Sequence, residues 1–186
     1  MSLGRAATEV IFETHSTTLD NEAGVATGWL PGELSTIGRR QAAELGRRRL
    51  ADDIAVVFSS DLARAVETTR IAFGENRDGL AVRQDPRLRE CDYGDLNGSP
   101  VELLEPLRPL CVDRPFPGGG QSYREVVEVV DAFLQDLVEE WSGSRVLLIG
   151  HSATRWALDC LLAGARLEDV VADPGPWRPG WHYLIR

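Results

Sequence analysis

The sequence predicts an α/β protein built on a largely parallel sheet. Apolar segments that are too short for helices alternate with longer amphipathic segments, as residues 145–149 and the stretch from 122 to 141 illustrate. This alternation favours parallel strands joined by helical crossovers. The 186 residues contain no Gly/Ser-rich linker, so a single domain over residues 1–186 is predicted.

Strands and helices alternate in order through the first half of the chain. β-branched and aromatic residues mark the strands, and small polar residues precede the amphipathic segments as helix caps. The predicted elements are a strand at 10–12, a helix from Ser35 to Leu45, a strand at 54–58, a helix at 62–73 capped by the 59–61 turn and a strand at 80–83. The helix arginines, Arg39, Arg40 and Arg47 to Arg49, are interpreted as a solvated face.

The second half follows a long segment, residues 85–117, which is rich in proline and charge and is predicted to hold at most a short helix at 101–104. A capping box, Ser122 with Glu125, opens the clearest helix, whose apolar positions run to Trp141. The remaining predictions are a strand at 145–149, a helix at 153–163 ending at Gly164, a Pro/Gly-rich loop at 173–180 and an edge strand at 181–185. Trp177, Trp181 and Tyr183 are predicted to belong to the core rather than to a pocket.

The composition excludes several classes of partner. Lys plus Arg number 20 and Asp plus Glu number 29, and the net charge of −9 opposes non-specific binding to nucleic acid or to an anionic membrane surface. The cysteines Cys91, Cys111 and Cys160 lack zinc-type spacing and suit a reducing compartment. Residues 1–5 are too short and polar for a secretory signal, and no apolar run is long enough to cross a bilayer. We therefore expect a cytoplasmic protein without nucleic-acid or membrane partners; no motif indicates an oligomeric state.

Two histidines each lie just past a predicted strand. His15 follows the strand at 10–12, and His151 follows the strand at 145–149. Ligands of open α/β sheets bind at the carboxyl ends of strands, so both are candidates for a base or nucleophile, although a lone histidine at a strand end is more often structural. An arginine near a helix start and an acid in the long segment could join them only if the two strands are neighbours.

Separated blocks of the sequence resemble the histidine phosphatase superfamily, which includes the cofactor-dependent phosphoglycerate mutases. Residues 14–21, Thr-His-Ser-Thr-Thr-Leu-Asp-Asn, resemble its opening Arg-His-Gly-x-Ser-x-x-Asn motif and match it at His15, Thr18 and Asn21. The other similar blocks, in the family's order, are residues 27–29 with 34–42, 59–68, 88–98, 117–122 and 146–151. Together they span about residues 8–155, so the C-terminal thirty residues lie outside the resemblance.

The resemblance implies a three-layer α/β/α, phosphoglycerate mutase-like fold and phosphoryl transfer to a histidine, without metal or cofactor. His15 would attack the phosphorus of a small phosphorylated substrate, and Arg64 and His151 would hold the phosphoryl oxygens. Glu90 would protonate the leaving oxygen and then activate a water. A neutral nucleophile favours a hydrogen bond from the other ring nitrogen of His15 to a backbone carbonyl. The implied substrate-binding residues are Thr14, Ser16, Thr18, Asn21, Thr27, Gly28, Arg89 and Ser152.

Three departures from the family pattern surround the two histidines. Thr14 stands where the family has an arginine that grips the phosphoryl group, Ser16 replaces a glycine, and Ser152 with Ala153 replaces Gly-Gly or Gly-Asn. One charge-assisted hydrogen bond contributes roughly 1.5–3 kcal/mol, so the loss of the arginine predicts a rate lower by about ten- to a hundredfold unless Arg89 or another arginine fills its space. The correlated changes indicate a subfamily.

Three functions remain open from the sequence: a phosphomonoesterase, a non-catalytic phospholigand-binding homologue and a phosphoglycerate-type mutase. The mutases carry a long insertion between the acid and the Pro-Gly-Gly block, whereas Glu90 and Pro117 are 27 residues apart here. A short cap admits water, which favours hydrolysis over return of the phosphoryl group. The sequence thus favours the phosphomonoesterase, and Thr14 is the feature that supports the binding protein.

Overall fold

The structure is a computed structural model that describes residues 6–74 and 79–186. Residues 1–5, considered above as a signal, lie outside the described residues. In chain order the elements are β1 (Thr8–Thr14), α1 (Leu19–Glu22), β2 (Val25–Ala26), α2 (Thr36–Arg48), β3 (Val56–Ser59), α3 (Ala63–Phe73), β4 (Ala81–Gln84), β5 (Ser99–Pro100), α4 (Val101–Leu104), α5 (Tyr123–Glu140), β6 (Arg145–Gly150), α6 (Ser152–Ala163), α7 (Leu167–Ala172) and β7 (Trp181–Ile185).

The main sheet has the strand order β4-β3-β6-β1-β7. β1 pairs with β6, β6 with β3 and β3 with β4 in parallel, and β7 pairs antiparallel with β1 at one edge. The predicted mostly parallel sheet is confirmed. β1 and β6, the strands that precede His15 and His151, are central neighbours, with Thr14 in register with Gly150.

Helices cover both faces of this sheet, because successive residues of a strand point to opposite sides. Val10 and Phe12 of β1 belong to the core on one face, which includes Phe133 of α5 and Trp156 of α6. Ile11 belongs to the core on the other face, with the following side chains of α2 and α3: Leu45, Ala65 and Phe73. The three-layer α/β/α fold is therefore confirmed.

A crevice forms at the carboxyl ends of β1 and β6. The chain leaves β1 for α2 on one face and leaves β6 for α6 on the other, so the segments after these adjacent strands diverge. Such a point of divergence is where open α/β sheets bind ligands. The fold thus places the residues that follow both strands at its natural binding position.

The predicted cap of the second helix is wrong. α3 begins at Ala63, and its N-cap residue, Leu62, makes no side-chain cap bond. The Asp61 carboxylate instead forms a bidentate ion pair with Arg89, at 2.7 and 2.5 Å. Of the predicted 59–61 cap, Ser60 still accepts from the Leu62 N–H through its Oγ at 3.2 Å, whereas Asp61 is held by a long-range cation.

The prediction that all the α2 arginines face solvent is also wrong. Arg49 is only 9% exposed, and its Nε and Nη2 donate to the buried carboxylate of Glu13 at 3.0 and 2.6 Å. Arg48 donates to the same oxygen at 3.0 Å. A buried carboxylate is stable only with such partners, so Glu13 draws the end of α2 onto β1.

Two segments predicted as loops contain more structure than expected. α1 and β2 lie between residues 16 and 34. In the segment at 85–117 the predicted short helix at 101–104 is confirmed as α4, and the unexpected elements are β5 and three 3₁₀ turns at Pro86–Leu88, Gly94–Leu96 and Glu105–Cys111. β2 and β5 form a small antiparallel sheet that joins the two segments, pairing Val25 with Pro100 and Ala26 with Ser99. Elements this short carry no periodic signal. α7 was missed for the same reason.

The three C-terminal aromatic residues divide between core and surface. Trp181 is buried and Tyr183 packs against the core, as predicted. Trp177 is 67% exposed, so the core prediction is wrong for it. Within the described ranges, the helices do not combine the length and apolar character needed to cross a membrane.

Candidate active site

His15 and His151 lie side by side at the carboxyl edge of the sheet. The backbone N–H of His15 donates to the Gly150 carbonyl at 2.9 Å, which continues the β1–β6 ladder by one residue. The two ring centroids are 5.0 Å apart, with an angle of 52° between the ring planes. Strand pairing therefore brings together the two histidines that the sequence separates by most of the chain.

His15 is held as a neutral imidazole of one tautomer. Its Nδ1 is 2.8 Å from the Ser16 carbonyl oxygen, which only accepts, so Nδ1 carries the proton. The guanidinium Nε of Arg64 donates to Nε2 at 3.3 Å. Burial and then the charge of Arg64 lower the pKa of His15 to about 3, against the opposing effect of the Ser16 carbonyl. Nε2 therefore has an unprotonated lone pair at neutral pH.

His151 differs from His15 in the hydrogen bonding of its ring nitrogens. It is completely buried, and neither ring nitrogen has a partner in the part of the chain that the structure describes. Burial, followed by the charge of Arg64 and by His15, holds the pKa of His151 well below its usual value. An unpaired buried polar group is costly and calls for an explanation, and a ligand beside His15 would supply the missing partner.

Arg64 closes the other side of the His15 ring. It lies in the first turn of α3 and is 2% exposed. Besides the contact with His15, Nη2 donates to the Gly28 carbonyl at 2.8 Å and Nη1 to the Leu30 carbonyl at 3.3 Å. The loop after β2 thus fixes the guanidinium against the nucleophile candidate.

Glu90 lies where α6 begins and is mostly buried. Its Oε1 accepts from the backbone N–H of Ala153 at 3.2 Å and from that of Cys91 at 2.8 Å. Burial lowers the pKa of Arg64, and the charge of Glu90 opposes that shift. Glu90 is therefore tied to the helix that follows His151, on the same side of the sheet edge as the histidines.

Three of the expected substrate-binding residues shape the loop after β1. Thr18 and Asn21 form a capping box at α1, in which each side chain bonds the other's backbone N–H at 3.0 Å. Thr27 donates its hydroxyl to Asp20 at 2.8 Å. Of the three, Asn21 also lines the cleft described below.

Gly28 and Arg89, two further residues expected to bind substrate, make close contacts with other parts of the protein. Gly28 has a φ of +55°, and a Cβ there would lie 1.7 Å from the Asn97 Oδ1, so only glycine fits beneath the carbonyl that binds Arg64. Arg89 is paired with Asp61, and its guanidinium lies 4.6 Å from the centroid of Trp29. Arg89 is not among the residues that line the cleft beside Thr14.

A cleft of about 680 Å³ opens beside His15. Predicted residues in its lining are Thr14, His15, Ser16, Asn21 and Ser152. The lining also includes residues that sequence reasoning did not assign to a site: Glu13, Thr17, Arg40, Gln41, Glu44, Leu45, Arg47, Arg48 and Trp177. Most of these belong to α2, whose charged face was interpreted only as solvated.

Trp177 contacts Thr14, the residue directly before His15. Its indole Nε1 donates to the Thr14 Oγ1 at 3.1 Å. The sequence offers one signal for this role: Trp177 lies in a loop between Pro176 and Pro179, where neither a strand nor a helix can carry it into the core. The core prediction for Trp177 rests instead on the fact that tryptophan side chains are usually buried.

The cysteines Cys91, Cys111 and Cys160 are free thiols. Among residues 6–74 and 79–186, no group of three His, Cys, Asp or Glu side chains is arranged to hold a metal ion.

The fold and the position of the histidines place the chain among α/β proteins with a ligand site at the carboxyl edge of the sheet. Residues 10–172 match the family model described as histidine phosphatase superfamily (branch 1), and the chain belongs to that superfamily.

Its relatives include enzymes of two kinds. The chain is 31% identical over 162 residues to a Yersinia enterocolitica protein described as a probable phosphoglycerate mutase, covering 83% of this chain and 73% of that one. Among solved structures, Bacillus stearothermophilus YhfR matches with a TM-score of 0.80 and 26% identity over 96% of this chain and 91% of its own. A mycobacterial glucosyl-3-phosphoglycerate phosphatase in complex with VO3 matches with a TM-score of 0.77 and 27% identity, covering 95% and 90%.

Proposed function

We propose that this chain is a phosphomonoesterase that hydrolyses a small phosphorylated metabolite through a phosphohistidine on His15, without a metal ion. The observation that carries the proposal is the state of His15. Its Nδ1 proton is held by the Ser16 carbonyl, and its Nε2 lone pair lies beside the Arg64 cation. A nucleophile for phosphorus needs this neutral tautomer.

The reaction follows from the neighbours of His15. Nε2 attacks phosphorus as the ester P–O bond breaks, and Glu90, which takes up a proton before this step, gives that proton to the leaving oxygen. Arg64 and the single ring N–H of neutral His151 stabilise the phosphoryl oxygens while charge spreads over them. In the second step water attacks phosphorus, Glu90 accepts its proton, and the P–N bond breaks to release inorganic phosphate and neutral His15.

Hydrolysis is favoured over mutase activity by the openness of the site. Two relatives are a glucosyl-3-phosphoglycerate phosphatase and a probable phosphoglycerate mutase, so the family accommodates both outcomes. The cleft beside His15 opens to solvent past exposed side chains such as Arg40 and Trp177. Water in that cleft would compete with a second alcohol for the phosphohistidine.

We further propose that Thr14 defines a subfamily with a weakened phosphoryl grip. Threonine offers one hydroxyl where arginine offers paired charged donors. The same feature supports a second candidate, a phospholigand-binding protein without turnover, because both Nη atoms of Arg64 donate to backbone carbonyls. Turnover separates the two functions.

The test is a panel of phosphorylated metabolites, assayed for phosphate release with and without a chelator. We expect release that survives chelation, an acid-labile phosphoprotein intermediate, and loss of both in His15→Ala. The Leu110→Ala variant, which alters an exposed residue outside the cleft, controls for purification. Activity that disappears with the chelator or persists in His15→Ala would contradict the mechanism, and tight ligand binding without turnover would favour the binding protein.

A further inference from the structure

Trp177 is a large aromatic side chain exposed in the cleft that contains His15. It is 67% exposed, whereas tryptophan side chains are usually mostly buried. Exposed aromatic rings in concave sites commonly contact ligands. Because Trp177 bonds Thr14, the residue directly before His15, its ring lies within one residue of the nucleophile candidate.

The loop that carries Trp177 is anchored at both ends. Arg155 of α6 donates to the Pro174 carbonyl at 2.7 Å and is itself paired with Asp159 at 2.5 Å. At the other end, Gly180 has a φ of +88°, and a Cβ there would lie 2.2 Å from the Arg49 Nη2. The ring is thus positioned by the fold rather than placed on a free tail.

The contact with Thr14 determines what the indole offers to a ligand. Its single N–H donates to Thr14, so the ring presents its flat π surface and apolar edge to the cleft. Leu45 adds a second apolar side chain to the lining. Two of the lining arginines are already paired, Arg47 with Glu44 and Arg48 with Glu13.

The volume leaves room for more than a phosphoryl group. A cleft of about 680 Å³ is in the size range that holds a whole small organic ligand. With the phosphoryl group at His15, the organic part of the ester would extend along the wall formed by Trp177.

On the basis of the proposed function, we propose that Trp177 determines specificity and that the cleft accepts phosphomonoesters whose organic part has a flat aromatic face. The ring of Trp177 stacks on that face while the phosphoryl group meets His15. Simple aryl phosphates and nucleoside monophosphates are two classes of phosphomonoester that have such a face. Esters without a flat face, such as glycerol 3-phosphate, lack this contact.

The experiment compares kcat/KM for phenyl phosphate, adenosine 5′-monophosphate and glycerol 3-phosphate in wild type, Trp177→Ala and Trp177→Phe. Stacking on one aromatic side chain corresponds to roughly five- to a hundredfold in affinity. We expect Trp177→Ala to lower kcat/KM by that factor for at least one aromatic ester, mainly by raising KM. The fall in kcat/KM for glycerol 3-phosphate should be at least fivefold smaller. Trp177→Phe should keep most of the preference because it keeps the flat ring. The aromatic ester whose kcat/KM falls more in Trp177→Ala identifies which of the two classes the cleft accepts.

A second readout does not require turnover. In His15→Ala, phenyl phosphate should quench the fluorescence of the exposed Trp177, and the quench should be absent in His15→Ala with Trp177→Phe. If no ester is hydrolysed but the quench is present, the proposed function fails and the aromatic site stands. An equal fall in kcat/KM for all three esters in Trp177→Ala, or the absence of a quench, overturns the aromatic site. The control variant Leu110→Ala alters an exposed residue outside the cleft and should match wild type in every measurement.

Discussion

The site has two halves that differ in burial and in how their polar groups are satisfied. The buried set, Arg64, Glu90 and His151, is enclosed between the sheet edge and the helix termini. The exposed wall consists of the half-buried Thr14 with the exposed Arg40 and Trp177, and it faces the open cleft. His15 contacts both halves, through Arg64 on one side and through its chain neighbour Thr14 on the other.

Under the proposed function, this difference separates chemistry from selection. In the buried set, low dielectric makes each unpaired group costly and would strengthen each interaction with a phosphoryl oxygen. In the exposed wall, water screens charges and competes for hydrogen bonds, so single contacts contribute less. Substitutions in the buried set should therefore change the rate constant, and substitutions in the wall should change which substrates bind.

The largest effect that tests this division is expected at His151. Removing one preorganised donor from a site of this kind lowers kcat by roughly a hundred- to a thousandfold, so we expect that loss for His151→Ala. His151→Asn keeps one amide donor and should lose less. Steady-state kinetics should show the change in kcat rather than in KM.

Folding must be checked beside these rates, because an alanine leaves a cavity in a buried position. Thermal unfolding of both variants, together with binding of inorganic phosphate, separates misfolding from lost chemistry. A stable His151→Ala with unchanged kcat would show that the buried set does not contact the reacting group, and the division would fail.

The buried set was more accessible to sequence reasoning than the wall. Strand-end placement of His15 and His151 needs only the apolar segments before them, and parallel pairing of β1 with β6 then brings them together. Arg64 and Glu90 came from the family resemblance, because nothing in local sequence reveals that α3 and a distant loop meet at the same edge. Their catalytic roles stay predictions.

The wall depends on contacts that no periodicity encodes. Trp177 meets Thr14 across 163 positions of sequence, and the loop at 173–180 that carries Trp177 has no motif. Glu13 lies within an apolar strand, and its burial against Arg48 and Arg49 turned a helix face predicted to be solvated into part of the site. Asp61 likewise left its predicted cap for Arg89. Each miss reflects a long-range charge or aromatic contact overriding a local preference.

A smaller effect should appear in stability at acid pH. Burial holds the pKa of His151 well below its usual value, whereas in the unfolded chain the group takes up a proton below about pH 6.5. The unfolded state then binds more protons, so the free energy of unfolding falls as the pH drops. The slope approaches about 1.4 kcal/mol per pH unit for one such group.

Urea unfolding of wild type and His151→Asn between neutral pH and about pH 5 measures this contribution. The free energy of unfolding of wild type should decrease more steeply than that of the variant, since carboxylates common to both cancel in the difference. Parallel slopes would mean that His151 accepts a proton in the folded protein, and the buried set would then be more polar than its geometry indicates.

The smallest effect is expected in the wall, at Thr14. Thr14→Arg would return a paired cationic donor beside His15, and Arg89 does not compete for the space because it is bound to Asp61. The gain is limited, since the substitution also removes the acceptor of the Trp177 N–H and places a second cation near Arg40. We expect inhibition by inorganic phosphate to strengthen by about tenfold, the effect of one exposed charge-assisted bond. The rate rises only if the transition state is held better than the substrate.

Thr14→Lys is the matched control, because it adds the same charge without the planar fork. If the fork matters, phosphate inhibition and kcat/KM should rank Arg above Lys and Lys above wild type, with aromatic esters gaining least because Trp177 has lost its anchor. A fall in phosphate binding for both variants would show that Arg40 already occupies the space of the missing arginine. The exposed wall would then contribute to phosphoryl binding as well as to selection, and the two halves of the site would not have separate functions at Thr14.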